Sequence, residues 1–239
     1  MTDKRAKAII AVFGGEDRDA VATAKKLGAE IARRGQILLT GGSAPGTKYV
    51  KDSAIDGVGS SPWVGVERKP KKVAASESGS GLVIYTDLDN KRNYLEACLC
   101  DAAIGLKGGD GTISEVTFAL ALQRPVVLVG DHWKAEGSLD GSTRQAVLAS
   151  MVQHAFTRVR RTLTGRPDFD ALLNEVAIRG GLEQLPPFTY VSSSNPPEDA
   201  IDWILKVLAS RHKAGGFPAL AGYRDVAQTY RDWLATHAV

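Results

Sequence analysis

Apolar residues in this chain fall into short unbroken runs that alternate with segments of helical spacing. Ala8 to Phe13 is apolar throughout and stops at Gly14-Gly15. A run of that length with no polar alternation fits a strand buried on both faces of a parallel sheet. From Ala20 to Arg34, Val21, Ala24, Leu27, Ala29 and Ile31 recur near helical spacing, with Lys25, Lys26, Arg33 and Arg34 on the remaining surface and Gly35 as a stop. Asp17 stands where a cap for that helix belongs.

The cycle repeats. Ile37 to Thr40 predicts a strand, Gly41 to Gly46 a loop, Lys48 to Gly57 a helix and Trp63 to Val66 a strand. After an excursion over the surface from Glu67 to Gly81, Leu82 to Tyr85 resumes the sheet. Arg92 to Cys100 then reads as helix, Ala102 to Leu106 as strand, Gly111 to Leu122 as helix and Pro125 to Val129 as strand. This alternation predicts an α/β fold with a doubly wound, mostly parallel sheet, laid down as five or six strands by Val129.

Beyond Gly130 the pattern loosens into helices at Ser142 to Val152, Asp168 to Ile178 and Pro197 to Leu208, the last following the capping-type Ser194-Asn195-Pro196. A final helix, Tyr223 to Ala238, follows a hinge at Gly215 to Pro218. The expected organisation is a main domain over residues 1–212 and a helical extension over 213–239.

Composition narrows the function. A chain of 239 residues that is 44% hydrophobic can bury one substantial core. A formal net charge of only +3 gives no broad attraction for nucleic acid or an anionic membrane, so a small-molecule partner is expected. The apolar run ending at Gly14 is too short for a signal or membrane helix, which points to the cytoplasm. Cys98 and Cys100, two apart in a helix, point in different directions and read as reduced packing residues. The four histidines lack metal spacing, and no metal site is expected. His132-Trp133 alone follows a strand at the edge where ligands sit.

In open α/β sheets ligands bind beyond the carboxyl ends of the strands. Gly108-Gly109-Asp110-Gly111-Thr112 is the strongest candidate there: its glycines admit close backbone approach, its N-H groups and the following helix N-terminus favour an anion, and Thr112 adds a hydroxyl. Gly41-Gly42 opens a second such loop, weakened by Pro45, which removes a donor. Gly14-Gly15 is followed by Glu16 and Asp17, which repel phosphate and favour a plain cap. Arg92 opens a helix where a guanidinium forks onto phosphate or carboxylate, and Glu115 lies one turn beyond Thr112 as a candidate acid or base. The cluster from Arg68 to Lys72 reads as a solvated loop.

Arg92-Asn93-Tyr94-Leu95, Asp101-Ala102-Ala103-Ile104, Gly108 through Glu115 and Pro125-Val126-Val127 together resemble the LOG-like Rossmann superfamily, long labelled lysine decarboxylases. The resemblance spans about residues 7–210, with the close match confined to Arg92 to Val129. It implies a modified Rossmann fold with additional C-terminal helices and a homodimer or higher homo-oligomer. One branch cleaves the N-glycosidic bond of nucleoside 5′-monophosphates; its catalytic arginine and glutamate fall on Arg92 and Glu115, with Gly41, Gly42, Gly108, Gly109, Gly111 and Thr112 around the phosphate. The other branch carries molybdenum cofactor and performs no chemistry. Asn93 and Lys107, possible ligand contacts, stand where the enzymes have Lys and Pro, and Arg92-Asn93 looks more like the carrier branch. The expected function is phosphoribohydrolysis without a cofactor, with carriage of a phosphorylated pterin as the alternative.

Overall fold

The structure, a computed structural model, describes residues 7–41, 48–68, 81–86, 88, 92–133, 188–192 and 194–213. The chain divides into two compact units, Met1–Ile204 and Leu205–Val239. Of the second unit, residues 205–213 are described, and they are helical.

Seven parallel strands form one sheet: β1 (Ile9–Phe13), β2 (Ile37–Thr40), β3 (Trp63–Arg68), β4 (Gly81–Thr86), β5 (Ala102–Gly105), β6 (Val126–Val129) and β7 (Phe188–Val191), in the order β4-β3-β2-β1-β5-β6-β7. Among the described residues the α-helices are α1 (Arg18–Arg33), α2 (Val50–Val58), α3 (Arg92–Leu99), α4 (Asp110–Ala121) and α5 (Pro197–Lys213). Strand order runs outward from β1 in one direction and then reverses to β5. Right-handed crossovers therefore place α1 and α2 on one face and α3 and α4 on the other, and each of these pairs packs together.

The central strands are dry on both faces, as their unbroken apolar runs require. Ile10, Ala11, Leu38, Leu39, Ala102, Ala103, Ile104, Val126 and Val127 are all fully buried. The helices meet them through Leu27 and Ile31 of α1, Ala54 and Ile55 of α2, Val116 and Ala119 of α4 and Ile201 and Ile204 of α5. Gly28 and Gly57 set the spacing of α1 and α2: a β-carbon on either would strike backbone of the facing helix, at Ala54 and Lys25 respectively. Asp17 caps α1 as its position implies, its Oδ1 accepting from the backbone N-H groups of Asp19 and Ala20.

The sheet gains one strand that the apolar pattern does not announce. β7 extends β6 from Val126↔Phe188 to Val129↔Val191, and all four of its residues are only half-buried. An edge strand needs no continuous apolar run. The expected helices at 142–152, 168–178 and 223–238 lie outside the described residues, as do residues 69–72 of the basic cluster and all but Lys213 of the expected extension. Among the described residues no helix is long and apolar enough to cross a membrane.

Candidate functional site

The strand order reverses between β1 and β5, where the following loops diverge and leave a crevice at the carboxyl ends of the strands. Backbone hydrogen bonds fix its floor. Gly15 donates to the Lys107 carbonyl at 2.9 Å, Leu106 to Phe13 at 2.8 Å, and Val50 to Gly15 at 2.9 Å. Gly14 and Gly15 form a packed turn ahead of the Asp17 cap, with a β-carbon on Gly15 only 3.1 Å from the Cα of Gly108.

Gly108 is the tightest point of the β5 loop. A β-carbon there would collide with Thr112 Oγ1 and lie 2.8 Å from the backbone nitrogen of Gly15. Thr112 is accordingly buried beneath Gly108. Gly109 is the N-cap residue of α4, extended at φ −88° and without a side-chain cap. The first intrahelical bond runs from Ile113 N-H to the Gly109 carbonyl at 3.2 Å, which leaves the N-H groups of Asp110, Gly111 and Thr112 without carbonyls inside the helix. Around that terminus there is room: a β-carbon on Gly109 or Gly111 would meet nothing within 4 Å.

Asn93 and Lys107 take positions that their sequence neighbourhood does not reveal. Asn93 is buried, and its Nδ2 donates to the Gly111 carbonyl and to Ser114 Oγ, each at 3.3 Å, so it braces α3 against the start of α4. Lys107 is exposed at the rim and pairs with Asp17 at 2.7 Å. That ammonium beside Asp17 lowers the Asp17 carboxyl below its usual range, helped by the N-H groups it caps.

Behind the glycine loop lies a buried charge network. Arg92, at the start of α3, donates through Nη1 to the carbonyls of Gly41 at 3.2 Å and Val66 at 3.1 Å. One helical turn on, the Glu96 side chain is fully buried, with Oε1 3.9 Å from Arg92 Nε. Glu115 of α4, only 8% exposed, faces Glu96. Lys51 of α2 completes the group, donating to the Gly41 carbonyl at 3.3 Å and pairing with Glu67 at 3.0 Å. Gly41 leaves these groups room: a β-carbon there would stand 3.2 Å from Glu96 Oε1 and 3.3 Å from Arg92 Nη1, so the two side chains would have to give way by a few tenths of an ångström.

Burial pushes the Glu115 carboxyl up to about 7 against the opposing pull of Arg92, a hydrogen bond from Glu96, and Lys51. Glu96 is raised well above the usual carboxylate range, first by burial and then by the Glu115 charge. The two carboxyls are coupled, and their titration belongs to the pair. Burial also pushes Cys98 up to about 11 and Cys100 up to about 12, which keeps both as thiols. At the other rim, burial and Lys107 lower His132, while Trp133 Nε1 donates to the Gly105 carbonyl at 3.1 Å.

The site thus gathers Gly108, Gly109, Gly111, Thr112, Asn93 and Lys107 at the α4 terminus, and Gly41, Arg92 and Glu115 in the network behind it. Gly42 lies outside the described residues. Sequence reasoning missed Glu96 and Lys51. A signal for Glu96 exists, since a residue four beyond Arg92 shares its helix face.

Comparison with known proteins bears on the fold and the family. Among solved structures, the chain is similar to the molybdenum cofactor binding protein of the phototrophic bacterium Rippkaea orientalis, at 26% identity and a TM-score of 0.54, covering 85% of this chain and 99% of that one. It also resembles the molybdenum cofactor carrier protein of Chlamydomonas reinhardtii in fold, at 24% identity, a TM-score of 0.53, and coverage of 85% and 99%. An uncharacterized protein of Archaeoglobus fulgidus is 32% identical over 130 residues, which is 51% of this chain and 83% of the relative. The model of the SLOG cluster4 family matches residues 7–156, and the chain therefore belongs to that LOG-like family.

Proposed function

We propose that this protein binds a phosphorylated small molecule of the pterin class, molybdenum cofactor being the leading candidate, and that it acts as a carrier. The observation that carries this reading is the division of labour in the crevice. The α4 terminus presents N-H groups that have no carbonyl inside the helix, with open space over Gly109 and Gly111, whereas Arg92 is occupied by two backbone carbonyls and Glu115 is withdrawn against Glu96. Backbone N-H groups at a helix N-terminus suit a phosphate, and the aligned peptide dipoles add to their attraction.

The similarity to the cofactor-binding protein of Rippkaea orientalis supports the pterin as the ligand class. In this reading Gly109 and Gly111 admit the phosphate, Gly108 and Asn93 hold the loop in shape, and the paired Lys107 and Asp17 line the rim.

One observation favours hydrolysis of a nucleoside 5′-monophosphate instead. A carboxyl that titrates near neutrality, as Glu115 does, matches what general acid or base catalysis requires. Burial of that carboxyl behind the loop weighs against its reaching a ribose.

A single preparation separates the two. Protein purified from a host that makes molybdenum cofactor is oxidised and read for pterin fluorescence, and the same sample is incubated with a panel of nucleoside monophosphates and assayed for free base. Retained pterin without base release is the expected result. Base release that disappears in Glu115→Gln, with no pterin retained, would overturn the carrier reading.

A further inference from the structure

Glu96 is the buried group that neither the family resemblance nor the phosphate loop explains. A fully buried carboxyl set against a second buried carboxyl, with a guanidinium only 3.9 Å away, is a costly arrangement that packing alone does not require. We propose that Glu96 is the positioning residue of this site, sharing one proton with Glu115, and that an anion arriving at the α4 N-terminus draws a second proton from solvent into the pair. The linkage rests on the reading of that terminus as a phosphate site.

The charges around the pair lead there. Arg92 acts on the pair from α3 and Lys51 from α2, and Lys51 is itself paired with Glu67 of β3; Gly41, at the end of β2, contributes only its carbonyl. With one shared proton, Arg92 and Lys51 face the charges of Glu67 and of one remaining carboxylate, and Asp52 of α2, its own carboxyl raised by burial, also faces Lys51 and Glu67, so the group holds no surplus positive charge. Glu115 lies five residues beyond Asp110, roughly 8 Å along the helix at 1.5 Å per residue. That is within a Debye length, and buried charges are screened less than exposed ones. A phosphate at the terminus therefore makes the remaining carboxylate more basic. Protonating it offsets part of the added negative charge without disturbing the hold of Arg92 on Gly41 and Val66. Glu96 sets this behaviour because its fully buried carboxyl is coupled to Glu115 while its oxygen stands beside Arg92.

The test uses the full chain and hydroxymethylpterin monophosphate as the probe. Titration calorimetry near neutral pH, in buffers of different ionisation enthalpy, reports protons taken up on binding. Infrared spectroscopy of the ligand-free protein reports the protonated carboxyl directly. The expected results are uptake approaching one proton, affinity falling by up to about tenfold per pH unit as the pair ionises, and a carboxylic-acid band at neutral pH. The isosteric double variant Glu96→Gln/Glu115→Gln binds the probe without uptake and lacks the band. Each single glutamine variant loses part of the band, so the assignment stands even where the double variant fails to fold.

Binding with no dependence on buffer, uptake that survives in the double variant, or no acid band in the wild type would each overturn the proposal. Absence of binding at every pH would instead strike the phosphate-site reading, and the linkage with it, while the band would still support or refute the shared proton.

Discussion

Gly108 and Thr112 pack so closely that a single β-carbon on Gly108 would collide with the threonine hydroxyl and stand 2.7 Å from the threonine Cβ. The same carbon would press on the backbone of Gly15, which has no soft side chain to move aside. Gly108→Ala is therefore expected to cost about 2 kcal/mol or more as an overpacked turn. Gly111→Ala points into open space and is expected to cost less than about 1 kcal/mol. Bulkier Gly111→Asp is expected to keep the fold but lose the ligand, because it places a carboxylate where an anion binds. Thermal unfolding beside pterin retention distinguishes the three; equal melting temperatures for the Gly108 and Gly111 variants would contradict the packing argument.

Arg92 holds the start of the Gly41 loop to β3 through one nitrogen shared by two carbonyls. A lysine has donors enough for both carbonyls but a shorter stem to bring them there, and it would leave Glu96 without its guanidinium neighbour. Arg92→Lys is expected to destabilise the protein by about 1 to 3 kcal/mol. Urea unfolding checks this. Unchanged stability with lost ligand binding would mean that Arg92 serves the ligand and not the loop.

The sheet and its crevice were legible because each central strand is an unbroken apolar run, and parallel order follows from alternation with helices. β7 was not, since Phe188 to Val191 sit half-exposed at an edge where periodicity carries little signal. The phosphate loop was legible in Gly108, Gly109 and Gly111, yet the roles within it were not. Three glycines look alike in sequence, while in space Gly108 fills a contact and the other two leave room. Glu96 stayed hidden because a charged residue in a helix normally marks the solvent face. Here the face four residues on from Arg92 turns inward, and only the fold brings Glu115 to meet it.

The carboxyl pair gives stability a definite pH slope. Glu115 titrates at about 7 in the folded chain against 4.5 in an unfolded one, so the native state holds more protons between those values. Stability contributed by the neutral form is complete below the unfolded value and is lost as pH rises through the folded one. Urea midpoints measured from about pH 5 to about pH 8 should fall with rising pH. Glu96→Gln/Glu115→Gln should flatten that fall, and a midpoint that instead rose across the window would contradict the burial of the pair.

Asp17 combines two roles that substitution can separate: it caps α1 and pairs with Lys107. Asp17→Ala removes both and should cost about 1 kcal/mol, the usual worth of an N-cap. Asp17→Asn keeps the cap and loses only an exposed ion pair, and should stay within about 0.5 kcal/mol of wild type. Denaturant unfolding of the two variants decides it. A similar loss in both would assign the stability to the ion pair.

Asn93 is where the sequence pattern of a carrier and that of a phosphoribohydrolase diverge, and the fold supplies a reason to test the swap. Its amide spans α3 and α4 by donating to the Gly111 carbonyl and Ser114 Oγ from a buried position. A lysine there would donate as well, but it must thread a longer stem and an ammonium into a space that an amide fills, with only those neutral acceptors to receive it. Asn93→Lys is expected to lower stability by about 1 to 3 kcal/mol and to disturb the carbonyl at Gly111, loosening the α4 terminus. Pterin retention should fall, and no free base should be released from any nucleoside monophosphate, because Glu115 remains buried against Glu96. Base release by Asn93→Lys at wild-type stability would show instead that one side chain separates carriage from hydrolysis on this scaffold.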